Sequence, residues 1–414
     1  MENLVTVIPL ASKVHPQRTY RETLKSYTEI FIRYPDVKLL DVVTDIGEVE
    51  ELLKKENIKY LALIFLTGGT SSLARHIVKV LKKKFVTLIA HGSDNSLPSA
   101  LSCKGRLELT GVKTHIIFSA NPVDVVDEFN RLYKVLHAAC ATKTMKVALI
   151  YDSKKSSEAL EFERRTGAKV IPISPSEVDE EMDNVSTSDV EEVLKKVFGE
   201  AKIRLSKKLL HKPLSFYIAV KNIVKRIGAD AATINCFKFI MEKNITPCIA
   251  VALLINEGIP FACEEDYHSL LLLTIANKLN TVGWIANPSS IGKDYIVFAH
   301  CTIAPKLTES LGILEHFETG KPASLSGKLI SNVKYTIARI TYDYKRLFAL
   351  AATLEKSGLI SKRMCRTQAY FKLKDLRPSE FLKKAKGNHH VIIQGNILHE
   401  LKILSKVLNI TFEN

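Results

Sequence analysis

The sequence predicts an α/β protein with parallel, doubly wound sheets followed by a mostly antiparallel β-rich domain. Apolar strand-like runs alternate with amphipathic helical segments up to about residue 287, which is the pattern of parallel α/β folds. Beyond Asn287, short β-rich runs alternate with turn signals, which favours antiparallel pairing. A chain of 414 residues exceeds one ordinary hydrophobic core, so more than one domain is expected.

Five strand–helix alternations fill the first predicted domain, residues 1–142. A helix is predicted over 46–58, after the second strand. The loop at 92–96 follows the fourth strand, and its polar side chains, Asn95 among them, could reach a hydroxylated ligand or cap the next helix. The five strands are predicted over 5–10, 37–43, 59–70, 86–91 and 114–120.

The alternation restarts in the second predicted domain, residues 143–290, and the pattern changes again in the third, residues 291–414. The acidic, polar stretch 174–189 has no apolar period and predicts a surface loop. The helix over 207–227 is expected to be interrupted by Pro213. The segment TPCIAVALLINEG (246–258) is apolar on every side, so it predicts a buried helix.

Composition limits the class of protein. No segment reaches about 18 uninterrupted apolar residues, so we expect neither a transmembrane helix nor a membrane partner. The N-terminal run VTVIPL is typical of a first strand rather than of a signal peptide. Seven cysteines without a CxxC pair favour reduced thiols in a cytoplasmic protein over disulfides or a zinc site.

The net charge of +15 raises the question of a nucleic-acid partner. Positive charge is concentrated in residues 201–226 and 345–386, and such stretches either bind phosphates or form a solvated lysine-rich surface. No recognisable nucleic-acid-binding motif accompanies them. We therefore do not expect nucleic acid to be the partner.

Three adjacent carboxylates stand at an unusual place. Glu264, Glu265 and Asp266 follow the apolar run IPFAC and precede an apolar helix. Ligand sites in parallel α/β folds lie at such strand ends, and partly desolvated carboxylates need partners or a cation. Asp266 could instead be only the N-terminal cap of its helix.

A histidine at the end of another predicted strand is a second candidate. His300 lies in the run YIVFAHC. It is either a substrate-binding residue or a core histidine with its own partners. Arg339, in the run TIARI, could hold a hydroxylated or anionic group or pair with a neighbouring residue.

The order of these segments resembles the L-fucose isomerase-like family, which includes L-fucose and L-arabinose isomerases. The resemblance rests on DAATINCF, ACEEDYHSLLLL, AHCTIAP and GNHHVIIQG, and on HGSDNSLPSALSCKGRLELTG nearer the N-terminus. It implies two Rossmann-like domains followed by a β-barrel-like C-terminal domain. It covers nearly the whole chain.

The resemblance also implies an activity, a cofactor and site residues. Enzymes of the family isomerise aldoses and ketoses through an enediol, with Mn²⁺ or a similar divalent cation. Carried over by position, Asp266 and His389 match metal ligands, and Glu264 and Asp266 are the catalytic candidates. His300, Asn95 and Arg339 are the substrate-binding candidates.

The chain departs from the family pattern at two positions. The other metal-binding carboxylate of the family would fall near Pro247 or Cys248, where this sequence has no acid. Asn287 stands near the place of a family aspartate.

Two hypotheses follow from this pattern. The chain is either a metal-dependent sugar isomerase or a metal-free sugar-binding or regulatory relative that lacks isomerase activity. Both take a small-molecule sugar as partner. The resemblance further implies a homo-oligomer, either a trimer or a hexamer.

Overall fold

The computed structural model describes residues 3–53 and 57–414. The chain forms two compact units, an N-terminal unit of residues 1–139 and 402–411 and a larger unit of residues 140–401 and 412–414. The division into three domains at residues 142 and 290 stays a prediction. Within the described residues, no helix combines the length and the apolar character needed to cross a membrane.

A five-stranded parallel sheet forms the centre of the N-terminal unit. Its elements are β1 (Val5–Leu10), α1 (Gln17–Phe31), β2 (Val37–Leu39), α2 (Ile46–Leu53), β3 (Tyr60–Phe65), α3 (Ser71–Val80), β4 (Phe85–His91), α4 (Ser96–Leu109), β5 (Lys113–Ser119) and α5 (Val126–Thr144). The strand order is β2-β1-β3-β4-β5, and all pairs are parallel. This confirms the predicted parallel α/β arrangement.

The apolar sequence of the inner strands explains their burial. β1, β3 and β4 are buried along their whole length, as expected for strands covered on both faces. Helix α2 covers the first part of the helix predicted over 46–58. Residues 54–56 of that prediction lie outside the described residues.

A second parallel sheet begins the larger unit, with the strand order β10-β9-β6-β7. Its strands and the helices between them are β6 (Lys146–Ile150), α6 (Ser157–Thr166), β7 (Lys169–Ile173), α7 (Pro175–Asp183), α8 (Thr187–Phe198), β8 (Lys202–Ile203), α9 (Lys207–Ile227), β9 (Ala231–Ile234), α10 (Cys236–Lys243), α11 (Cys248–Asn256), β10 (Phe261–Ala262) and α12 (Tyr267–Lys278). Strand β8 pairs elsewhere, with a later strand of the chain.

The prediction of a surface loop over 174–189 is wrong, because most of this stretch is helical. Helix α7 begins after Ser174, whose hydroxyl accepts a hydrogen bond from the Glu177 amide, and Pro175 occupies its first position. Ser186 caps α8 in the same way, through a capping box with Asp189. These caps satisfy backbone donors at the helix starts, and they outweigh the weak apolar period.

The predicted interruption at Pro213 is also wrong, because α9 continues through it. Proline removes one helical hydrogen bond and clashes with the preceding turn. The buried side chains of Leu210 and Leu214 on either side of it fix this stretch against the core. Tertiary packing therefore maintains a helix that local propensity disfavours.

Six of the remaining strands form a closed antiparallel barrel, which confirms the predicted antiparallel region. The elements are β11 (Gly283–Ile291), β12 (Ile296–His300), β13 (Thr308–Leu314), β14 (Ser324–Leu329), β15 (Lys334–Ile340), β16 (Arg346–Gly358), β17 (Thr367–Leu373), α13 (Pro378–Lys384), β18 (His390–Gln394), α14 (Leu398–Val407) and β19 (Thr411–Glu413). Six strands run in the order β15-β18-β11-β12-β17-β16, and pairing of β15 with β16 closes the ring. Strands β13 and β14 form a separate small sheet with β8.

Pairing within the barrel places β11, the end of β12 and the start of β18 side by side. Strand β11 lies between β18 and β12, with Ala286 opposite His390 and Asn287 opposite Ala299. Consequently the last residue of β12, His300, and the residue before β18, His389, lie near each other although 89 positions separate them. Their ring centroids are 5.5 Å apart.

The adjacent histidines His389 and His390 face different surroundings, as strand alternation requires. The His390 ring packs against Phe298, Phe348 and Phe381, and its Nε2 is buried without a hydrogen-bond partner. Burial lowers the pKa of His390 to about 4. The barrel interior therefore holds this imidazole in the neutral form.

Acid should weaken the larger unit through His390. Its folded pKa lies below the ordinary value near 6.5, so its contribution is complete above pH 6.5 and is lost as pH falls toward 4. Between pH 7.5 and pH 5 the parent protein should therefore lose about 2 kcal/mol of its unfolding free energy through this residue. His390→Phe has no imidazole to protonate, so it should not show this loss. Urea unfolding at pH 7.5 and 5, followed by fluorescence of the single tryptophan, Trp284, measures the difference.

The exposed His399 provides the control for that experiment. His399→Phe should keep the acid sensitivity of the parent protein. Equal acid sensitivity in the parent and in His390→Phe would contradict the neutral, buried state of His390.

Candidate metal centre

The candidate site is built on a left-handed turn between β10 and α12. Glu264 and Glu265 have backbone φ angles of 57° and 54°, a conformation that residues other than glycine adopt at a cost. Hydrogen bonds from the amides of Glu265 to Ile234 O (2.9 Å) and of Asp266 to Cys263 O (3.1 Å) hold the turn. The turn directs successive carboxylates to different partners.

Asp266 is both a helix cap and the centre of a buried polar network. Its Oδ1 accepts hydrogen bonds from the amides of His268 and Ser269, both at 3.0 Å. Its Oδ2 lies 3.0 Å from Arg339 Nη1 and 2.9 Å from His389 Nδ1. Burial opposes ionisation of Asp266, but these donors and the Arg339 charge outweigh it and hold its pKa well below the usual range.

The contact with Asp266 decides which nitrogen of His389 is available. With Nδ1 engaged by Asp266, the opposite nitrogen, Nε2, lies 3.6 Å from Glu264 Oε1. Nε2 is buried and has no hydrogen-bond partner. A carboxylate behind the ring that fixes its orientation is the usual arrangement of metal-binding histidines.

The two carboxylates also set the charge of His389. Burial alone would lower the pKa of this imidazole, but Asp266 and Glu264 outweigh burial and raise it to about 9. In the absence of a cation the positive charge therefore resides on the ring. A bound metal ion would replace that proton.

His300 approaches the same carboxylate from the end of β12. Its Nε2 is 3.9 Å from Glu264 Oε1, and its Nδ1 is buried without a partner. Burial and the neighbouring His389 charge lower the pKa of His300 to about 4. His300 is therefore neutral at ordinary pH, as a metal-binding imidazole must be.

Glu264, His300 and His389 form a group that could hold a metal ion. Each residue offers one potential ligand atom, and these three atoms all lie within 4.8 Å of one another. No other group of this kind occurs in the described part of the chain. The side chain of Glu264 is 34% exposed while both imidazoles are buried, so the group opens on one side only.

A cavity of about 270 Å³ adjoins the group. Its wall includes Glu264 and His300, together with five cysteines and a small set of polar side chains. The full lining is Cys236, Phe237, Ile240, Pro247, Cys248, Cys263, Glu264, Asn287, His300, Cys301, His316, Glu318, Cys365 and Asn388. This wall contains no lysine or arginine.

The two departures from the family pattern both lie on this wall. Pro247 and Cys248, near which the resemblance would require a carboxylate, lie at the start of α11. Asn287 has a buried amide oxygen without a hydrogen-bond partner. The third donor of the group comes instead from His300.

The predicted site residues differ in how the structure uses them. Glu264 and His389 belong to the group of three donors. Asp266 contacts Nδ1 of His389, the ring nitrogen that faces away from Glu264. Its predicted role as a direct metal ligand stays a prediction. Glu265 turns away, toward the hydroxyl groups of Ser156 and Tyr267.

The substrate-binding predictions for Arg339 and Asn95 also remain predictions. Arg339 is almost fully buried, and its Nη1 contacts Asp266 and the His389 carbonyl oxygen at 3.0 and 2.9 Å. Its guanidinium group lies over the Tyr342 ring. Asn95 belongs to the N-terminal unit, where it precedes α4 in a left-handed conformation.

Sequence reasoning missed three polar residues of the cavity and gave one donor, His300, a substrate-binding role instead. His316 and Glu318 come from the loop after β13, and Asn388 precedes His389. The segment EHFETGKP resembles an ordinary surface turn, so no local signal distinguished it. For His300, its position at the end of an apolar strand indicated a site but not a metal-binding role.

Comparisons with known proteins add no identification. No model of a known protein family matches the chain, and no curated protein sequence matches it.

Loss of Arg339 should strongly destabilise the larger unit. Arg339→Met leaves the buried Asp266 carboxylate without its permanent cation, and removing one partner of a buried ion pair costs about 3–5 kcal/mol. Urea unfolding followed by Trp284 fluorescence measures this loss.

The matched control is Arg346→Met. Arg346 is 44% exposed and pairs with Glu413 at 3.5 Å, so its loss should cost no more than about 1 kcal/mol. Equal effects of the two substitutions would show that the Asp266 network contributes nothing beyond a surface ion pair.

Proposed function

We propose that the chain is a divergent member of the L-fucose isomerase-like family and a metal-dependent aldose–ketose isomerase. The observation that carries the proposal is the convergence of Glu264, His300 and His389 beside a cavity. The two parallel sheets followed by an antiparallel barrel agree with the domain types that the family resemblance implies. We include in the proposal that both parallel-sheet regions are Rossmann-like.

The donor set supports a divalent transition metal such as Mn²⁺. One carboxylate and two imidazoles suit Mn²⁺, Fe²⁺ or Zn²⁺ better than Mg²⁺ or Ca²⁺, which prefer oxygen donors. The buried Nε2 of His389 has no hydrogen-bond partner, and in the deprotonated ring its lone pair could bind a cation. A bound cation would supply Lewis-acid stabilisation of the negative charge that develops on sugar oxygens.

The side chains have distinct roles in this proposal. Glu264 is the partly exposed carboxylate at the cavity wall, placed to accept and return a proton between adjacent sugar carbons. Burial opposes the ionisation of Glu264, but His389 and His300 lower its pKa. Asp266 keeps His389 in the orientation that presents Nε2 to the donor group.

The cavity also supports a neutral sugar as the ligand. Its polar groups are carboxylates, imidazoles and amides, which bind hydroxyl groups, and no cation is present on its wall to bind a phosphate. Assembly into trimers or hexamers is part of the proposal through the family resemblance alone.

A second candidate function is a metal-free sugar-binding or regulatory role. The observation that favours it is that the start of α11 has no acid at Pro247 or Cys248, near which the second carboxylate of the family would fall. An isomerase that uses the metal site of the family would need that carboxylate as a metal ligand.

Metal binding separates the two candidates. Millimolar Mn²⁺ should raise the melting temperature of the parent protein, because binding to the native state adds about 2.7 kcal/mol at a hundredfold excess over the dissociation constant. Glu264→Gln, His300→Ala and His389→Ala should each abolish the shift.

Glu318→Gln is the control, because Glu318 lines the same cavity outside the donor group. It should retain the shift. If Mn²⁺, Fe²⁺ and Zn²⁺ all leave the parent protein unchanged, the isomerase proposal falls and the sugar-binding candidate replaces it. If the shift is present, exchange of the aldose C2 hydrogen in D₂O tests the reaction itself.

A further inference from the structure

A second cavity, in the N-terminal unit, is lined by positive charge. It is a half-open cavity of about 640 Å³ between the C-terminal ends of α3 and α4 and the segment that follows α3. The polar wall includes six cations and no carboxylate. These cations are Arg75, Lys79, Lys82, Lys83, Lys84 and Arg106.

Within the described residues, none of the six cations has a carboxylate partner. Lys83 Nζ donates to the backbone carbonyl of Ile58, and Arg75 Nη2 donates to Ser72 Oγ at 3.0 Å. The Nε atom of Arg75 is buried without any acceptor. The nearby carboxylate of Glu108 is already engaged by Lys104 at 2.8 Å and Thr114 at 2.6 Å.

Helix electrostatics explain only two of these charges. Lys79 and Arg106 lie in the last turns of α3 and α4, where a cation offsets the negative end of the helix dipole. The half charge at a helix end is too small to offset Arg75 and the three consecutive lysines 82–84 as well. Six like charges around one cavity repel each other unless an anion is present.

Lys82 carries one of these charges at a backbone position that disfavours lysine. Its φ angle is 49°, and the Lys83 amide bonds back to Val78 O at 3.1 Å. This is the helix-ending motif that favours glycine at the left-handed position. The sequence nevertheless places a lysine there, beside the cavity.

We propose that this cavity binds the oligophosphate group of a small molecule. Several adjacent phosphates would neutralise the uncompensated cations, and Arg75 Nε would gain an acceptor. Val78 and Leu107, which are buried, and Val112 form an apolar part of the wall that an organic portion of the ligand can cover. The inference goes beyond the proposed isomerase function, since it concerns another unit and other residues.

The test uses inorganic tripolyphosphate as the probe, with binding measured by calorimetry on the full chain. Lys82→Gly is the most informative variant, because glycine suits the left-handed backbone and should not destabilise the protein. It should weaken binding by about threefold, the effect of one exposed charge pair. A triple variant should bind tripolyphosphate at least about tenfold more weakly than the parent protein. Its substitutions are Lys79→Gln, Lys82→Gly and Lys84→Gln.

Two further arms make the outcome decisive. Lys25→Gln, on α1 in the same unit and outside the cavity, should bind tripolyphosphate like the parent. If ATP binds more tightly than tripolyphosphate, the apolar part of the wall contacts the nucleoside of the ligand. Unchanged affinity in the triple variant, or binding of single-stranded RNA without binding of tripolyphosphate, would overturn the proposal.

Discussion

The buried carboxylate of Asp266 is the constraint on which the larger unit depends. It caps the N-terminus of α12 through two backbone amides, neutralises the buried Arg339 of β15, and fixes the ring of His389 before β18. One side chain thus connects a helix of the parallel-sheet region with two strands of the barrel. A buried carboxylate is stable only with such complete pairing, so the positions of these elements and the ionisation of Asp266 depend on one another.

The candidate site is buried on one side and open on the other. His389 and His300 are buried and fixed by the barrel, whereas Glu264 is a third exposed on a short turn. A metal centre needs positioned donors together with a free direction for substrate. The barrel supplies the first of these, and the adjoining cavity supplies the second.

The sequence predicted the features that arise from local periodicity. The parallel strands are continuous apolar runs that alternate with helical segments, and the antiparallel strands are short β-rich runs separated by turn signals, so both regions were recognisable. The capped helix α7 was missed because polar residues dominate its apolar period, although Ser174-Pro175 is a capping signal. The continuity of α9 through Pro213 depends on tertiary packing, which no local pattern shows.

The candidate site was only partly predictable from the sequence. Glu264, Asp266 and His389 drew attention through unusual placement and through the family resemblance. That His300 supplies the third donor depends on β11 lying between β12 and β18, a long-range pairing that sequence spacing does not contain. The engagement of Arg339 with Asp266, rather than with the cavity, has the same origin.

The left-handed turn at Glu264 and Glu265 has a consequence for how this site can change by mutation. β-branched residues are strongly disfavoured in that conformation, while glycine, asparagine and aspartate are tolerated. The backbone therefore restricts the replacements at position 264 independently of any selection for metal binding. A lineage that lost the donor would pass most readily to asparagine or glycine there, and the turn itself would survive the loss of its chemistry.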